Sequence, residues 1–85
     1  MSTLVKDAAA IKVWFDEDHI WLRLDDGRQI GIPLAYYPRL LGATPLQREG
    51  FEISGNGRGL HWPELDEDLS VNGLILGIPD RTKGH

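Results

Sequence analysis

Residues 11–32 read IKVWFDEDHIWLRLDDGRQIGI, and this stretch decides the fold. Apolar side chains recur at every second position in three successive runs, which is the pattern of half-buried β-strands. The polar loop 16–19 between the first two runs suits a hairpin. Closing the hairpin across this loop places the apolar side chains of both strands on one face. The predicted pairs are Phe15 with Ile20, Val13 with Leu22 and Ile11 with Leu24.

The second turn, Asp25-Asp26-Gly27, decides how the third strand pairs with the second. A two-residue loop would place Leu22 opposite Gly31 and put the apolar faces out of phase. A three-residue loop with Gly27 in the left-handed conformation keeps them in phase. The resulting pairs are Leu22 with Ile30 and Ile20 with Ile32. Residues 11–32 therefore predict a three-stranded antiparallel meander.

Shorter elements follow the meander. Pro33 ends the third strand, and residues 34–41 predict a short helix interrupted by a proline. The sequence TPLQ at 44–47 has the form of a capped helix start. Further predicted elements are a strand at 51–53, a turn at 54–57, a strand at 58–62, an acidic loop, and a helix at 71–76 capped by Ser70. This order predicts an α+β fold: a small, mostly antiparallel sheet of a meander plus a second hairpin, with short helices packed on one face.

The chain has 85 residues, which predicts a single domain with a core of about residues 10–77 and flexible termini at 1–9 and 79–85. The residues predicted to be buried are Phe15, Leu22, Leu24, Ile30, Phe51, Ile53 and Trp62. Those predicted to be exposed are Asp16, Glu17 and Asp26. The chain contains no cysteine, no secretory signal and no apolar run near the ~20 residues that cross a bilayer. We therefore expect a cytoplasmic protein without a membrane partner.

The stretch LHWPELDEDLS, residues 60–70, contains four closely spaced carboxylates. These are Glu64, Asp66, Glu67 and Asp68. The net charge is −4, and without these four residues nine acidic residues remain against nine Lys and Arg. We interpret them as a solvated surface that steers a basic protein partner, with Trp62 and Pro63 structural. An acidic chain without a cluster of basic residues is a poor candidate for direct nucleic-acid binding.

The same stretch permits a second interpretation, in which His61 and the acidic loop form a metal or catalytic site. Calcium loops use a regular ligand spacing with an internal glycine, and zinc sites use several His or Cys ligands. Neither pattern is present, and no nucleophile stands beside the carboxylates. We therefore predict no catalytic, cofactor-binding or metal-binding residues.

Trp14 and Trp21 are predicted to lie opposite each other on the outer face of the meander. A cross-strand aromatic pair stabilises a hairpin by roughly 0.2–1 kcal/mol, and two exposed indoles also mark interfaces. The candidate interaction surface therefore consists of Trp14, Trp21, Glu64, Asp66, Glu67 and Asp68. The expected partner is a small, basic protein or a second copy in a homodimer.

The meander ending in LDDGR and the segment 36–77, with PRLL, HWP and LDEDLS in order, resemble the domain of unknown function 2442. The resemblance covers roughly residues 10–77. It implies a small bacterial protein without established activity, in a toxin–antitoxin-like gene arrangement beside a domain of unknown function 4160. Some members carry a helix-turn-helix domain after this one, which we do not expect here.

These observations favour a non-enzymatic protein-interaction module, such as an antitoxin-like or regulatory adaptor component. Two alternatives stay open. One is a small metal-dependent enzyme that uses His61 and the acidic loop. The other is a transcription-associated regulator that acts through a partner.

Overall fold

The computed structural model describes residues 8–78, which form two three-stranded antiparallel sheets around one core. The first sheet consists of β1 (Ala10–Phe15), β2 (His19–Leu24) and β3 (Gln29–Pro33), in that order. The second consists of β4 (Glu52–Ser54), β5 (Gly59–Trp62) and β6 (Glu67–Ser70). The α-helices are α1 (Pro38–Leu41), α2 (Pro45–Arg48) and α3 (Val71–Leu76), with 3-10 turns at Leu34–Tyr36 and Gly55–Gly57. The predicted α+β class is confirmed, although the second sheet has three strands where a hairpin was predicted.

The described part of the chain begins inside the segment predicted to be a flexible N-terminus. Ala8 is buried, and the backbone N–H of Ala9 donates to Oδ1 of Asp25 at 3.2 Å. The backbone N–H of Asp25 in turn donates to the carbonyl of Ala9 at 2.8 Å. Apart from Ala8 and Ala9, the residues of the predicted flexible termini lie outside the described residues, at 1–7 and 79–85.

The register of the first sheet confirms the pairing predicted for both turns. The confirmed pairs are Phe15 with Ile20, Val13 with Leu22, Leu22 with Ile30 and Ile20 with Ile32. Gly27 has φ 95°, which is the left-handed conformation that the three-residue loop requires. The apolar face of the meander therefore follows directly from the period of the sequence.

The predicted pairing of Ile11 with Leu24 is wrong. Ala10 lies opposite Leu24, and the register shifts between Ala10 and Lys12. The extra residue in β1 makes a β-bulge, which turns Ile11 away from the core and leaves it 61% exposed. Ala10 is buried in its place.

The core combines the inner faces of both sheets with side chains from the helices. Its fully buried large residues include Ile20, Leu22, Leu24, Leu34, Tyr37, Leu40, Leu60, Trp62, Val71 and Leu74. Burial of Leu22, Leu24 and Trp62 and exposure of Asp16, Glu17 and Asp26 are confirmed. Phe15, Ile30 and Phe51 are only half-buried.

The predicted burial of Ile53 is wrong, since its side chain is 44% exposed. Ile53 lies on β4, which has three residues and forms one edge of the second sheet. An edge strand has a neighbour on one side only, so its inward side chain keeps contact with solvent. Leu60, its partner on the central strand β5, is buried.

Trp62 links the second sheet to the helical segment and has the structural role predicted for it. Its Nε1 donates to the carbonyl of Arg48 at 2.9 Å, and its ring packs edge-on against Phe51 at 6.3 Å. Phe51 also contacts Phe15, with 6.2 Å between ring centroids. The Arg48 side chain donates to the carbonyls of Leu40 and Leu41, so the residue that accepts from the indole is itself held against the end of α1.

The helix caps agree with the sequence. The Thr44 hydroxyl accepts from the backbone N–H of Gln47, and the Gln47 side chain accepts from the backbone N–H of Thr44, which completes the capping box. The Ser70 hydroxyl accepts from the backbone N–H of Gly73 at 2.9 Å and begins α3. Gly77, with φ 70°, ends that helix.

The segment predicted as an acidic loop contains the strand β6. A turn over residues 63–66 ends at Asp66, whose φ is 53°, and β6 then pairs with β5. In this register Glu67 lies opposite Trp62, while Asp68 lies opposite His61. Because neighbouring residues of a strand point to opposite faces, Glu67 is fully buried and Asp68 is exposed. The placement of Glu67 in a solvated surface is therefore wrong.

Candidate interaction surfaces

Trp14 and Trp21 form an ordered pair on the outer face of the first sheet. They lie directly opposite each other on β1 and β2, as predicted. Their ring centroids are 6.3 Å apart and their planes differ by 11°, so the two indoles are nearly parallel. Both side chains are half-buried, and both therefore keep accessible surface.

Contacts on three sides hold the indole of Trp21 in place. Its Nε1 donates to Oδ2 of Asp16 at 2.8 Å, and the His19 ring lies 5.7 Å away. The ring covers Gly31 on β3, where an added Cβ would approach it to 2.6 Å. Covering a glycine in a neighbouring strand stabilises a sheet, so Trp21 has a structural role as well as an exposed surface.

Asp16 connects this indole to the β1–β2 turn. Its Oδ2 accepts from Trp21, and its Oδ1 accepts from the backbone N–H groups of Asp18 and His19 at 2.9 and 2.7 Å. The hydrogen bond from Trp21, followed by those from the backbone, lowers the pKa of Asp16 from 3.8 to about 2. The carboxylate is therefore ionised at neutral pH, and the turn and the indole are held by one charged group.

Two cations flank the indoles. The Nζ of Lys12 lies 5.5 Å from the centroid of the Trp14 ring, which is a cation–π distance. The guanidinium of Arg23 donates to Oε1 of Gln29 at 3.1 Å. Strand alternation places these residues on the same side as the indoles. We call the set Lys12, Trp14, Trp21, Arg23, Gln29 and Gly31 the tryptophan face.

The sequence prediction omitted Lys12 and Arg23 from the candidate surface. The signal was present, because both residues share the outward parity of the tryptophans along β1 and β2. Lys12 and Arg23 are far apart in the sequence and each has apolar neighbours, so they do not form a visible cluster of basic residues. They become neighbours of the indoles only through the pairing of β1 with β2.

The carboxylates of the second sheet form a separate group on its outer face and turn. Glu52 and Asp68 lie on either side of His61, in the register of β4, β5 and β6. The Nδ1 of His61 is 2.6 Å from Oδ1 of Asp68. Glu64 and Asp66 lie in the turn that connects β5 to β6. We call Glu52, Glu64, Asp66 and Asp68 the acidic surface.

Apart from the His61–Asp68 pair, the contacts that the described residues make with the acidic surface are weak. The Arg39 guanidinium donates to the Asp66 backbone carbonyl, and it lies 3.9 Å from the Asp66 carboxylate, which is 96% exposed. Gln47 donates to Glu64 at 3.4 Å, a long hydrogen bond between exposed groups. Such exposed pairs are worth about 0–1 kcal/mol, so they leave the surface negatively charged and available.

The six residues predicted as one interaction surface therefore lie in three places. Trp14 and Trp21 belong to the first sheet. Glu64, Asp66 and Asp68 belong to the second sheet and its turn. Glu67 belongs to the core. The prediction had combined a strand face with an acidic segment that lies on another sheet.

Residues 8–78 contain no group of three or more His, Asp or Glu side chains arranged to hold a metal ion. His61 and Asp68 are a cross-strand pair in which the Asp68 carboxylate accepts from Nδ1 of His61, so Nε2 of the ring points away from Asp68. In the same part of the chain, no helix has the length and apolar character required to cross a bilayer.

Comparison with known proteins identifies the family of the chain. The family model described as "Protein of unknown function (DUF2442)" matches residues 10–80. A crystal structure of a protein of unknown function from Rhodospirillum rubrum has 33% identity and a TM-score of 0.79, and the match covers 93% of this chain and 98% of that one. The solution NMR structure of an uncharacterized protein from Chromobacterium violaceum has 30% identity and a TM-score of 0.71, over 88% of this chain and 71% of that one. No curated protein matches. The chain belongs to the DUF2442 family of proteins of unknown function.

Proposed function

We propose that the protein is a non-enzymatic protein-interaction module, an antitoxin-like or regulatory adaptor component of the cytoplasm, and that it docks a protein partner on the tryptophan face. The observation that carries this proposal is the ordered, half-exposed pair of Trp14 and Trp21. Tryptophan is enriched among the residues that dominate binding energy at protein interfaces.

The fold does not require two exposed indoles. Trp21 covers Gly31 and binds Asp16, so packing accounts for much of its presence. Among the described residues, the Trp14 ring stacks against Trp21 and lies beneath the Lys12 ammonium, and a cross-strand aromatic pair is worth roughly 0.2–1 kcal/mol. Removing a tryptophan at the centre of an interface costs about 2 kcal/mol or more. The larger effect of Trp14 is therefore expected in binding.

The geometry also reduces the entropic cost of binding. Immobilising a side chain at an interface costs about 0.5–1.5 kcal/mol. Trp21 is already fixed by Asp16 and by the surface of Gly31, and Trp14 packs parallel to it. A partner would meet a preformed surface.

The acidic surface supplies the second part of the proposal, the steering of a basic partner. Clustered carboxylates raise association rates by one or more orders of magnitude, and salt reduces the effect over a Debye length of ~8 Å at physiological ionic strength. Because Glu67 is buried, this role falls to Glu52, Glu64, Asp66 and Asp68.

The test uses Trp14→Ala and a matched control, Leu46→Ala. Leu46 is 83% exposed on α2, outside both surfaces, so this control also removes an exposed apolar side chain. Wild type is used to co-purify a partner from the source cells, and the partner is identified by mass spectrometry and produced pure. Titration calorimetry then measures Kd for each variant.

We expect Trp14→Ala to raise Kd about thirtyfold, the equivalent of ~2 kcal/mol, and Leu46→Ala to change it less than about twofold. Circular dichroism checks that both variants are folded. An identical Kd for wild type and Trp14→Ala would refute the assignment of the tryptophan face.

A further inference from the structure

We infer that the tryptophan face binds the acidic surface of a second copy of this chain, so that the protein associates with itself in a head-to-tail manner. The inference rests on the proposed function in one respect, namely that the tryptophan face is a docking surface. It adds the identity of one occupant, and it can fail while the proposed function stands.

The first argument is the segregation of charge between the strands of the two sheets. The strands of the first sheet contain Lys12 and Arg23 and no Asp or Glu. The strands of the second sheet contain Glu52, Glu67 and Asp68 and no Lys or Arg. With Glu67 buried, the outward charges on the strands are positive in the first sheet and negative in the second. The turns of the first sheet carry the carboxylates Asp16, Glu17, Asp18, Asp25 and Asp26, so the complementarity lies between the strand faces.

The second argument concerns the nearest internal charges. Asp16 is the carboxylate that bonds to Trp21, and both of its oxygens already accept hydrogen bonds. Lys12 and Arg23 are exposed, and their contacts are with an indole ring and a neutral amide. Both cations therefore remain available to carboxylates from outside the chain, and the acidic surface of another copy supplies these at equal concentration.

The size of the tryptophan face sets the expected strength. Three strands about 4.8 Å apart, with five or six residues at ~3.3 Å each, present an outer face of roughly 240–290 Å². A stable interface buries about 800 Å² on each partner. The association is therefore weak, exchanges rapidly and depends on salt.

The symmetry sets the form of the assembly. Because the two contacting surfaces differ, the interface is heterologous and leaves one of each surface unoccupied in every dimer. The average mass is then expected to rise continuously with concentration, without a plateau at a dimer.

The experiment is sedimentation velocity on the full chain, over a concentration series at about 0.01 M and about 1 M salt, where the Debye length falls from ~30 Å to ~3 Å. Two charge-reversal variants are compared with wild type. One is Lys12→Glu with Arg23→Glu. The other is Glu64→Lys with Asp68→Lys, which keeps Asp66 because its φ of 53° suits aspartate.

Wild type is expected to associate at low salt and to dissociate at high salt. Each variant alone should lose about tenfold or more in association constant, because attractive contacts become repulsive. A 1:1 mixture of the two variants should restore association, since each then presents a surface complementary to the other.

The matched control is Glu17→Lys with Glu49→Lys, which changes the net charge as much as the acidic-surface variant. Both residues are exposed and lie outside the two surfaces. The control should associate as wild type does. Wild type that stays monomeric at low salt, or mixed variants that fail to restore association, would overturn the inference. Neither result bears on the Kd of Trp14→Ala for a separate partner, so failure here is distinguishable from failure of the proposed function.

Discussion

The two sheets have the same number of strands and the same antiparallel order, but they are built in different ways. The first occupies one continuous segment, Ala10 to Pro33, and needs one left-handed glycine in its turns. The second lies between Glu52 and Ser70, and its turns use positive φ at Gly55, Asn56, Gly57 and Asp66. A regular sheet therefore stands beside one whose connections are locally irregular.

The difference extends to what each sheet exposes. The outer face of the first sheet carries indoles and cations, and the outer face of the second carries His61 between two carboxylates. Both inner faces contribute to one core, which contains Trp62. Substitutions on one outer face should therefore have little effect on the other, so the two sheets can be tested separately.

The largest expected effect separates a tryptophan of the core from a tryptophan of the surface. Trp62→Ala should lower the free energy of unfolding by about 3–5 kcal/mol, because it leaves a cavity and an unpaired Arg48 carbonyl. Trp14→Ala should cost about 0.2–1 kcal/mol. Urea unfolding followed by circular dichroism measures both. Similar losses in the two variants would remove the distinction between core and docking indoles.

The second effect compares neighbouring residues of β6. Glu67→Ala should cost about 1–3 kcal/mol, because it removes a fully buried side chain opposite Trp62. Asp68→Ala should cost less than about 1 kcal/mol, since the lost contact with His61 is exposed. The same unfolding measurement applies. If Asp68→Ala proves the more damaging, the assigned register of β5 with β6 is wrong.

Much of the first sheet could be predicted because its periodicity and its turns agree. The match between Leu22 and Ile30 selects the loop length, and Gly27 supplies the conformation that this loop needs. The bulge at Ile11 could not be predicted. Nothing in the alternation of Ile11 and Val13 reveals that the pairing with Leu24 shifts by one residue, since that shift is decided by packing at the end of the strand.

The second sheet was predicted less well because its charges obscure its period. In residues 66–69 three carboxylates in succession suggest a solvated loop, yet Glu67 and Leu69 share the inward parity of a strand. Glutamate is rarely buried, so its charge predicted an exposed position for Glu67 even though the alternation of the strand predicted an inward one. For the same reason, Glu67 was wrongly included in the candidate interaction surface. The indole pair was predicted correctly, because its placement depended on the first sheet.

A smaller effect tests the fit between Trp21 and Gly31. Gly31→Ala would place a Cβ 2.6 Å from the indole, so the ring must move outward. The ring is the end of a side chain on an open face, and we therefore expect a cost of about 1 kcal/mol, near the lower limit for overpacking. The indole N–H signal of Trp21 should shift as its bond to Asp16 is lost. An unchanged signal would show that the glycine is not required beneath the ring.

The smallest effect depends on pH and concerns the charge that holds Trp21. The pKa of Asp16 is lowered from 3.8 to about 2, chiefly by the Trp21 indole N–H. A lowered pKa contributes stability above the unfolded value, and this stability is lost as pH falls from about 3.8 through about 2. The Trp21 N–H signal should therefore titrate in this acid range, and that titration should be absent in Asp16→Asn.

Asp26→Asn is the matched control for this titration. The pKa of Asp26 is also lowered, first by the backbone N–H of Arg28, but within residues 8–78 the Asp26 carboxylate bonds to Arg28 and not to an indole. In this variant the Trp21 signal should still titrate as in wild type. The amide in Asp16→Asn can still accept from the backbone of the turn, so a loss of titration reports the indole contact and not an unfolded hairpin. A Trp21 signal that is constant across the acid range in wild type would show that Asp16 does not hold the tryptophan face.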